Sequence, residues 1–328
     1  MGSVVWSSRS CSPAWPQVPS LGTLSVPSRT GGTPMRRRIM AALVLTSVLG
    51  WSAGALAATA TDFTIRVVVT ATNTGTEPSR HVLLRLPLPS GTAYHASIAE
   101  TLDVQPSSWE VDASGHRFGL FEGNLEPGQS LTFTYTKRSS GPVVEQAGAR
   151  EETMLWRYLQ AAPRLQVHHP VVTGLAQQFS AYPEALARAR AIFVRVRETI
   201  VFDLDAPYRN STAVDALTSG RGVCEDFALA YVALARASGI PSRVVYGYYF
   251  RHRRMVGEKH AWAESFIGGV WVRVDPSRAG WDGFDAGRYV VTGYDNPPLT
   301  GWYEGGKLAV SMTITALRVR QWRRPVGQ

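Results

Sequence analysis

Hydrophobic and polar residues alternate through residues 61–137. Four segments there alternate or are rich in β-branched residues, and turn-forming stretches separate them: FTIRVVVTATN, HVLLRLPLP, HRFGLFEG and LTFTYTK. A period of two places every second side chain on the same face of a strand, so the pattern predicts β-strands. Short strands at this spacing are typical of a β-sandwich, which we expect over residues 58–142.

A helical period appears in the second half of the chain. Over residues 183–200 apolar side chains recur every three or four positions, which predicts a helix with one buried face. A second helix is expected over residues 224–238, because Gly239 is typical of a helix end and Pro241 prevents the helix from resuming. Cys224 therefore occupies the first turn of a predicted helix.

The segment after this helix has the pattern of antiparallel strands. Strands are expected at 243–250, 260–267 and 270–276, with further strands at 289–292 and 308–319. Gly268 and Gly269 separate the second strand from the third and favour a two-residue hairpin turn.

The hairpin turn determines which side chains share a face. With the two glycines as the loop, Glu264 faces Arg273, for which we expect a cross-strand ion pair. In the same register His260 is a diagonal neighbour of Asp275, whereas a three- or five-residue loop would put these two on opposite faces.

An export signal is expected before the folded part. Met35 and three arginines precede the apolar run 39–49, and Ala-Leu-Ala ends at Ala57, which is the pattern of a cleaved signal peptide at 35–57. An uncleaved membrane anchor is the alternative. Residues 1–34 are interpreted as a misassigned start or a disordered leader.

Composition and charge narrow the class of protein. Of the 328 residues, 45% are hydrophobic and 18% are charged, which is typical of a globular protein. The first 57 residues contain five arginines and no acidic residue, so the net charge falls from +9 for the whole chain to +4 for residues 58–328. Neither a zinc finger nor a basic helix is present, so nucleic-acid binding is not expected. No polytopic membrane protein is expected either, and after signal cleavage we expect no stable membrane insertion.

The number and position of the cysteines suggest a single reactive thiol. Cys11 is removed with the leader, so the exported chain would keep Cys224 alone, without an internal disulfide. A thiol at a helix N-terminus faces unpaired N–H groups and the positive end of the helix dipole, which favour the thiolate. A single cysteine without paired ligands is unlike a zinc site, so we expect no metal.

Three residues together match a nucleophilic site. Cys224 would act as nucleophile, His260 as base and then acid, and Asp275 as the group that orients the imidazole. The alternative is a buried, inert cysteine with an unrelated surface histidine.

Two longer segments carry a family resemblance. GRGVCEDFALAYVALARASGIPSRVVYGYY and HAWAESFIGGVWVRVDPS resemble the transglutaminase-like superfamily, whose Cys, His and Asp motifs occur in this order. The resemblance covers about residues 170–280. It implies an α+β, papain-like core that performs cysteine-dependent acyl transfer without metal or organic cofactor. We therefore expect a linker at 143–165 and a catalytic domain at 166–320, behind the β-sandwich.

The resemblance leaves the reaction open. The signal peptide predicts a periplasmic or secreted protein, and the resemblance implies an enzyme that acts on a protein or peptide, with hydrolysis of peptide or amide bonds preferred. Cross-linking of glutamine to amines is an alternative, and a non-catalytic binding scaffold is another. Tyr246, Tyr248 and Trp262 are candidate substrate-binding residues, although a buried strand is the preferred explanation of the aromatic run.

Overall fold

The computed structural model describes residues 2–5, 60–87, 96–112, 117–141, 153–205, 211–251, 256–278, 280–295 and 300–322. The α-helices in this part of the chain are α1 (Pro170–Gln177), α2 (Ala185–Thr199), α3 (Ala213–Ser219) and α4 (Cys224–Ala237). The first seven strands are β1 (Gly2–Val5), β2 (Ala60–Asn73), β3 (Ser79–Pro87), β4 (Ala96–Leu102), β5 (Ser108–Val111), β6 (Arg117–Leu125) and β7 (Ser130–Gly141). The others are β8 (Val201–Phe202), β9 (Arg221–Gly222), β10 (Ser242–Tyr249), β11 (Glu258–Ile267), β12 (Val270–Val274), β13 (Tyr289–Tyr294), β14 (Thr300–Glu304) and β15 (Leu308–Trp322).

The sheet that carries the candidate site is antiparallel, with strand order β12-β11-β10-β13. Its hairpin turn has Gly268 at φ 62° and Gly269 at φ 85°, the left-handed conformation that a two-residue turn needs and that glycine adopts without strain. Glu264 pairs with Arg273 across this turn, so the register predicted from the two glycines is confirmed.

Helix α4 packs against β10 and β11 and is almost entirely buried. Asp226 stabilises its start, because one carboxylate oxygen accepts a hydrogen bond from the backbone N–H of Val223 at 2.8 Å. A Cβ at Gly222 would lie 2.4 Å from the Cβ of Asp226, so this close approach requires glycine. At the other end Gly239 has φ 78°, and the predicted end of the helix is confirmed.

The helix predicted at 183–200 is also confirmed as α2. Its buried residues recur at helical spacing, and Leu186 is the exception at 42% exposed. The buried ones are Ala189, Ile192, Phe193 and Val196. Among the described residues no helix is long and apolar enough to cross a membrane. The expected signal peptide lies outside them.

Two further antiparallel sheets contain the strands of residues 60–141. Their orders are β1-β14-β3-β6-β5 and β15-β2-β7-β4. The sheets contact each other through Phe121 of β6 and Phe133 of β7, whose ring centroids are 4.1 Å apart. The alternating inward residues of β2 and β3 are buried, as the sequence pattern indicated. The β-sandwich as a domain type stays a prediction.

Strands β1, β14 and β15 complete these two sheets. Strand β14 pairs with β3, and β15 pairs with β2 along almost its whole length. This differs from the partition expected from the sequence, in which residues 166–320 formed one unit. The open edges of β2 and β3 leave backbone groups that need partners, and strands distant in sequence supply them. Residues 2–5 of the expected leader form β1 and pair with β14.

Candidate active site

Cys224 is the first residue of α4 and its side chain is completely buried. Because α4 packs against β11, the strand of His260, helix and strand bring these parts of the sequence together. In the structure of the whole chain Cys224 is disulfide-bonded. The free thiol expected after removal of the leader stays a prediction. The sequence has one other cysteine, Cys11, which lies outside the described residues. The expectation referred to a chain from which residues 1–57 had been removed.

His260 and Asp275 are in direct contact. The Nε2 atom of His260 lies 2.7 Å from the Oδ2 atom of Asp275, and both side chains are buried. Since an ionised carboxylate only accepts, Nε2 is assigned as the N–H donor. In the neutral imidazole the other ring nitrogen, Nδ1, is then the acceptor.

Asp275 accepts hydrogen bonds at both carboxylate oxygens. Oδ1 accepts from the backbone N–H of Ser277 at 3.1 Å and from the Ser277 hydroxyl at 2.8 Å. Oδ2 accepts from the Tyr289 hydroxyl at 2.8 Å as well as from His260. Four donors therefore hold this carboxylate in one orientation.

These contacts also keep Asp275 ionised. Burial raises the pKa of the Asp275 carboxyl, but the charge and hydrogen bond of His260, together with Tyr289 and Ser277, outweigh burial and hold its pKa below the usual value. A buried, ionised carboxylate is the form that can stabilise an imidazolium.

Ser277 and Tyr289 are the two residues of this cluster that the sequence did not single out. Ser277 had a detectable signal, because Asp-Pro-Ser is a pattern in which an aspartate accepts from the backbone two residues later. Tyr289 had none, since it comes from β13 and lies 14 residues beyond Asp275 in the chain.

A second polar cluster holds the start of α4. Glu225, next to the candidate nucleophile, forms an ion pair with Arg164 and accepts from the Tyr246 hydroxyl at 2.8 Å. Asp226 accepts from the hydroxyl of Ser211 in addition to its backbone contact. Burial, the largest influence, raises the pKa of the Asp226 carboxyl. Contacts from three separate segments thus fix the position of the helix N-terminus.

The three candidate substrate-binding residues lie in the core. Tyr246 and Tyr248 are 1% exposed and Trp262 is 0% exposed. The hydroxyl of Tyr246 is used by Glu225, and that of Tyr248 donates to the Met312 carbonyl at 3.4 Å. None of the three presents a surface to a substrate in this structure, because packing and internal hydrogen bonds occupy their side chains.

The strand next to His260 comes unusually close to its neighbours at Gly247. This residue pairs with His260 in the β10–β11 ladder. A Cβ here would lie 2.0 Å from the carbonyl oxygen of Val290 and 2.8 Å from the ring of Trp262. Only glycine lets β13 and the Trp262 ring pack at this distance beside the imidazole.

A buried ion pair continues the same face of the sheet. The guanidinium of Arg243 donates to Glu264 at 2.7 Å and lies 3.9 Å from the ring centroids of both Trp271 and Tyr294. Arg243 and Glu264 are directly paired in the β10–β11 register. Glu264 has cross-strand neighbours on both sides, and it forms an ion pair with Arg243, which the sequence analysis did not predict. The ion pair expected with Arg273 stays a prediction.

Among the described residues, no group of three or more His, Cys, Asp or Glu side chains could hold a metal ion.

The family comparison matches this region. Residues 173–276 match the model of the Transglutaminase-like superfamily, and this range contains Cys224, His260 and Asp275. The resemblance stated from the sequence is therefore confirmed for these residues.

Curated relatives are mycobacterial. An uncharacterised protein of Mycobacterium leprae is 36% identical over 107 residues, which are 29% of this chain and 37% of that protein. An uncharacterised protein of Mycobacterium tuberculosis is 27% identical over 252 residues, or 65% of this chain and 78% of the relative. The chain thus spans little more than a third of the M. leprae protein.

One solved structure supports the fold, and a second shows a weaker similarity. A proposed cysteine protease of Cytophaga hutchinsonii aligns with a TM-score of 0.62 at 18% identity, over 82% of this chain and 93% of that one. The periplasmic domain of TgpA from Pseudomonas aeruginosa aligns with a TM-score of 0.41 at 18% identity, over 66% and 89%. The expected fold class is confirmed as a mixed helix and strand fold with a transglutaminase-like core.

Proposed function

We propose that this chain is an exported, cysteine-dependent acyl-transfer enzyme that hydrolyses peptide or amide bonds. The observation that carries the proposal is the buried 2.7 Å contact between His260 and Asp275, on a sheet packed against the helix that begins with Cys224. The match of residues 173–276 to the transglutaminase-like superfamily supports it. Export rests on the signal-peptide pattern at 35–57.

The reaction begins with the reduced thiol of Cys224. His260 takes the thiol proton at Nδ1, and the thiolate attacks the carbonyl carbon of an amide. Asp275 stabilises the imidazolium that forms. The tetrahedral intermediate expels the amine, which receives the proton from His260, and a thioester to Cys224 remains. Water deprotonated by His260 then hydrolyses the thioester and regenerates the thiol.

The position of Cys224 supports this chemistry. Cys224 is the first residue of α4 and so lies at the positive end of the helix dipole, which favours the thiolate and also stabilises negative charge on an oxyanion. The Arg164–Glu225–Tyr246 contacts anchor the following residue and so restrict the movement of the nucleophile.

Cross-linking of glutamine to amines is the second candidate, because an amine can replace water in the last step. A glutamine peptide and a labelled primary amine, given to the reduced protein, distinguish the two reactions. We expect ammonia release without amine incorporation. Incorporation that exceeds hydrolysis would identify a transglutaminase instead.

Two variants control this assay. Cys224→Ala abolishes turnover if the thiol is the nucleophile, whereas Cys11→Ser retains turnover because it leaves Cys224 in place. Unchanged turnover in Cys224→Ala would refute the mechanism. A reduced protein that binds peptides without turning them over would favour the non-catalytic scaffold.

A further inference from the structure

We propose that Tyr289 is a positioning residue of this site, which sets how strongly the Asp275 carboxylate holds the proton on His260. The inference rests on the proposed function for its catalytic meaning. The arrangement itself stands on described contacts.

Tyr289 and His260 share one oxygen atom of Asp275. The tyrosine hydroxyl donates to Oδ2 at 2.8 Å and the imidazole Nε2 donates to the same atom at 2.7 Å. Ser277 occupies the other oxygen, Oδ1. Since both donors draw on the charge of one oxygen, the strength of one hydrogen bond depends on the other.

The ring of Tyr289 is held rigidly. It is 2% exposed, stacks on Phe284 with ring centroids 4.0 Å apart, and meets Trp262 edge-on at 5.0 Å. Tyr249 packs against it at 5.1 Å. These contacts involve the ring and not the hydroxyl, so they would remain if the hydroxyl were removed.

The hydroxyl stays a donor at every pH at which the protein would work. Burial, reinforced by the adjacent Asp275 charge, raises the pKa of Tyr289 well above its usual value. Tyr289 therefore does not act as a base. It permanently reduces the negative charge that Asp275 offers to the imidazolium.

Removal of the Tyr289 hydroxyl should change the protonation of His260 in a predictable direction. Without Tyr289 the Oδ2 atom attracts the imidazolium more strongly, so His260 keeps its proton to a higher pH. The thiol of Cys224 loses its proton while the imidazole is still charged, so removal of the Tyr289 hydroxyl leaves this first step unchanged to first order. In a plot of Cys224 reactivity against pH, the alkaline limb therefore moves to higher pH and the acidic limb stays in place.

Other charged groups around the pair are unaffected by the change. Several titratable or charged residues occupy the strands and the loop packed around the imidazole, and a phenylalanine at 289 leaves them in place: Glu258 with Arg278 and Arg251, Arg288 with Asp285, Tyr249, and the Arg243–Glu264 pair. Arg273 and Lys259 lie on neighbouring positions of β12 and β11.

The test uses the full chain with Cys11→Ser, so that Cys224 is the one remaining thiol. Tyr289→Phe is compared with Tyr231→Phe, which removes another buried tyrosine hydroxyl that lies 3.0 Å from Ser265. Two readouts are followed against pH: the rate of Cys224 alkylation by iodoacetamide, and the ring titration of His260 by NMR, assigned with His260→Ala.

We expect Tyr289→Phe to raise the His260 titration midpoint and the alkaline limb of alkylation by on the order of half a pH unit. Tyr231→Phe should move neither. A fluorinated tyrosine at position 289 is a stronger donor of the same shape and should lower both, which covers the case of a Phe variant that fails to fold. A His260 midpoint unchanged by either substitution overturns the proposal. A shifted midpoint with Cys224 reacting as an ordinary thiol supports the proposal and refutes the proposed function.

Discussion

Asp275 lies one residue beyond the end of β12, and its Oδ2 atom is 2.7 Å from Nε2 of His260 on the neighbouring strand. The strand pairing ends at Val274, so Asp275 lies outside the ladder and its carboxylate contacts both the imidazole and the Ser277 backbone. Because Asp275 follows the last paired residue of β12, its side-chain orientation is not restricted by a continuous strand ladder.

The ionised state of Asp275 predicts a loss of stability in acid. Its pKa is lowered in the folded protein and is about 3.9 in an unfolded chain, so the unfolded state binds more protons in this range. Its contribution is present above about pH 4 and is lost as pH falls through the lower folded value. Urea unfolding of the wild type and of Asp275→Asn at pH 2–6 measures this.

We expect the free energy of unfolding to fall less steeply below pH 4 in Asp275→Asn than in the wild type. Asn keeps the size of the side chain and does not titrate, which makes it the matched variant. Parallel curves for the two proteins would show that folding does not lower the pKa of Asp275.

Gly247 should not tolerate a side chain. In Gly247→Ala the new Cβ meets the Val290 carbonyl oxygen and the Trp262 ring, so β10 and β13 must separate beside His260. We expect a loss of about 1–3 kcal/mol in the free energy of unfolding, together with a loss of activity. Gly123→Ala is the control, since its nearest neighbour is 3.9 Å away and it also lies in a strand. Equal stability of the two variants would contradict the close approach.

The buried Arg243–Glu264 pair should be costly to break but replaceable. Glu264→Ala leaves a buried guanidinium without its carboxylate, for which we expect a loss of about 3–5 kcal/mol. The double variant Arg243→Met with Glu264→Leu should recover most of that loss, because two apolar side chains need no ion pair. Chemical denaturation checks both, and a single variant as stable as the wild type would refute the pairing.

The redox state of Cys224 should depend on the leader. Cys224 is disulfide-bonded in the full chain, and the other cysteine of the sequence precedes the expected cleavage site. In an Ellman titration under denaturing conditions, without reductant, we expect no free thiol in the oxidised full chain. A chain of residues 58–328 should show one thiol per molecule. A full chain with two free thiols would contradict the bonded state.

Local patterns explain which parts of the structure could be predicted. Gly268 and Gly269 determine the turn, and the turn determines the pairing of Glu264 with Arg273. Gly239 likewise ends α4 where expected. In each case the controlling residues lie within a few positions of what they control.

Long-range partners could not be predicted in this way. Tyr289 approaches Asp275 through β10 and β13, whose pairing contains an irregularity between Tyr246 and Gly247. An irregularity of this kind changes which residues of the two strands face each other beyond it. Alternation of hydrophobic and polar residues alone therefore does not predict the contact of Tyr289 with Asp275. The pairing of β15 with β2 joins strands that are far apart in the sequence, and no local pattern specifies it.

The central claim, an activated thiol paired with His260, is tested most directly by the pH dependence of Cys224 alkylation. Iodoacetamide is applied to the folded, reduced full chain carrying Cys11→Ser, with and without His260→Ala. We predict rapid alkylation well below pH 8.5, the usual pKa of a free cysteine, and loss of this advantage in His260→Ala. Slow alkylation in both proteins, accelerated only by unfolding, would mean an inert buried thiol and would contradict the proposed enzyme.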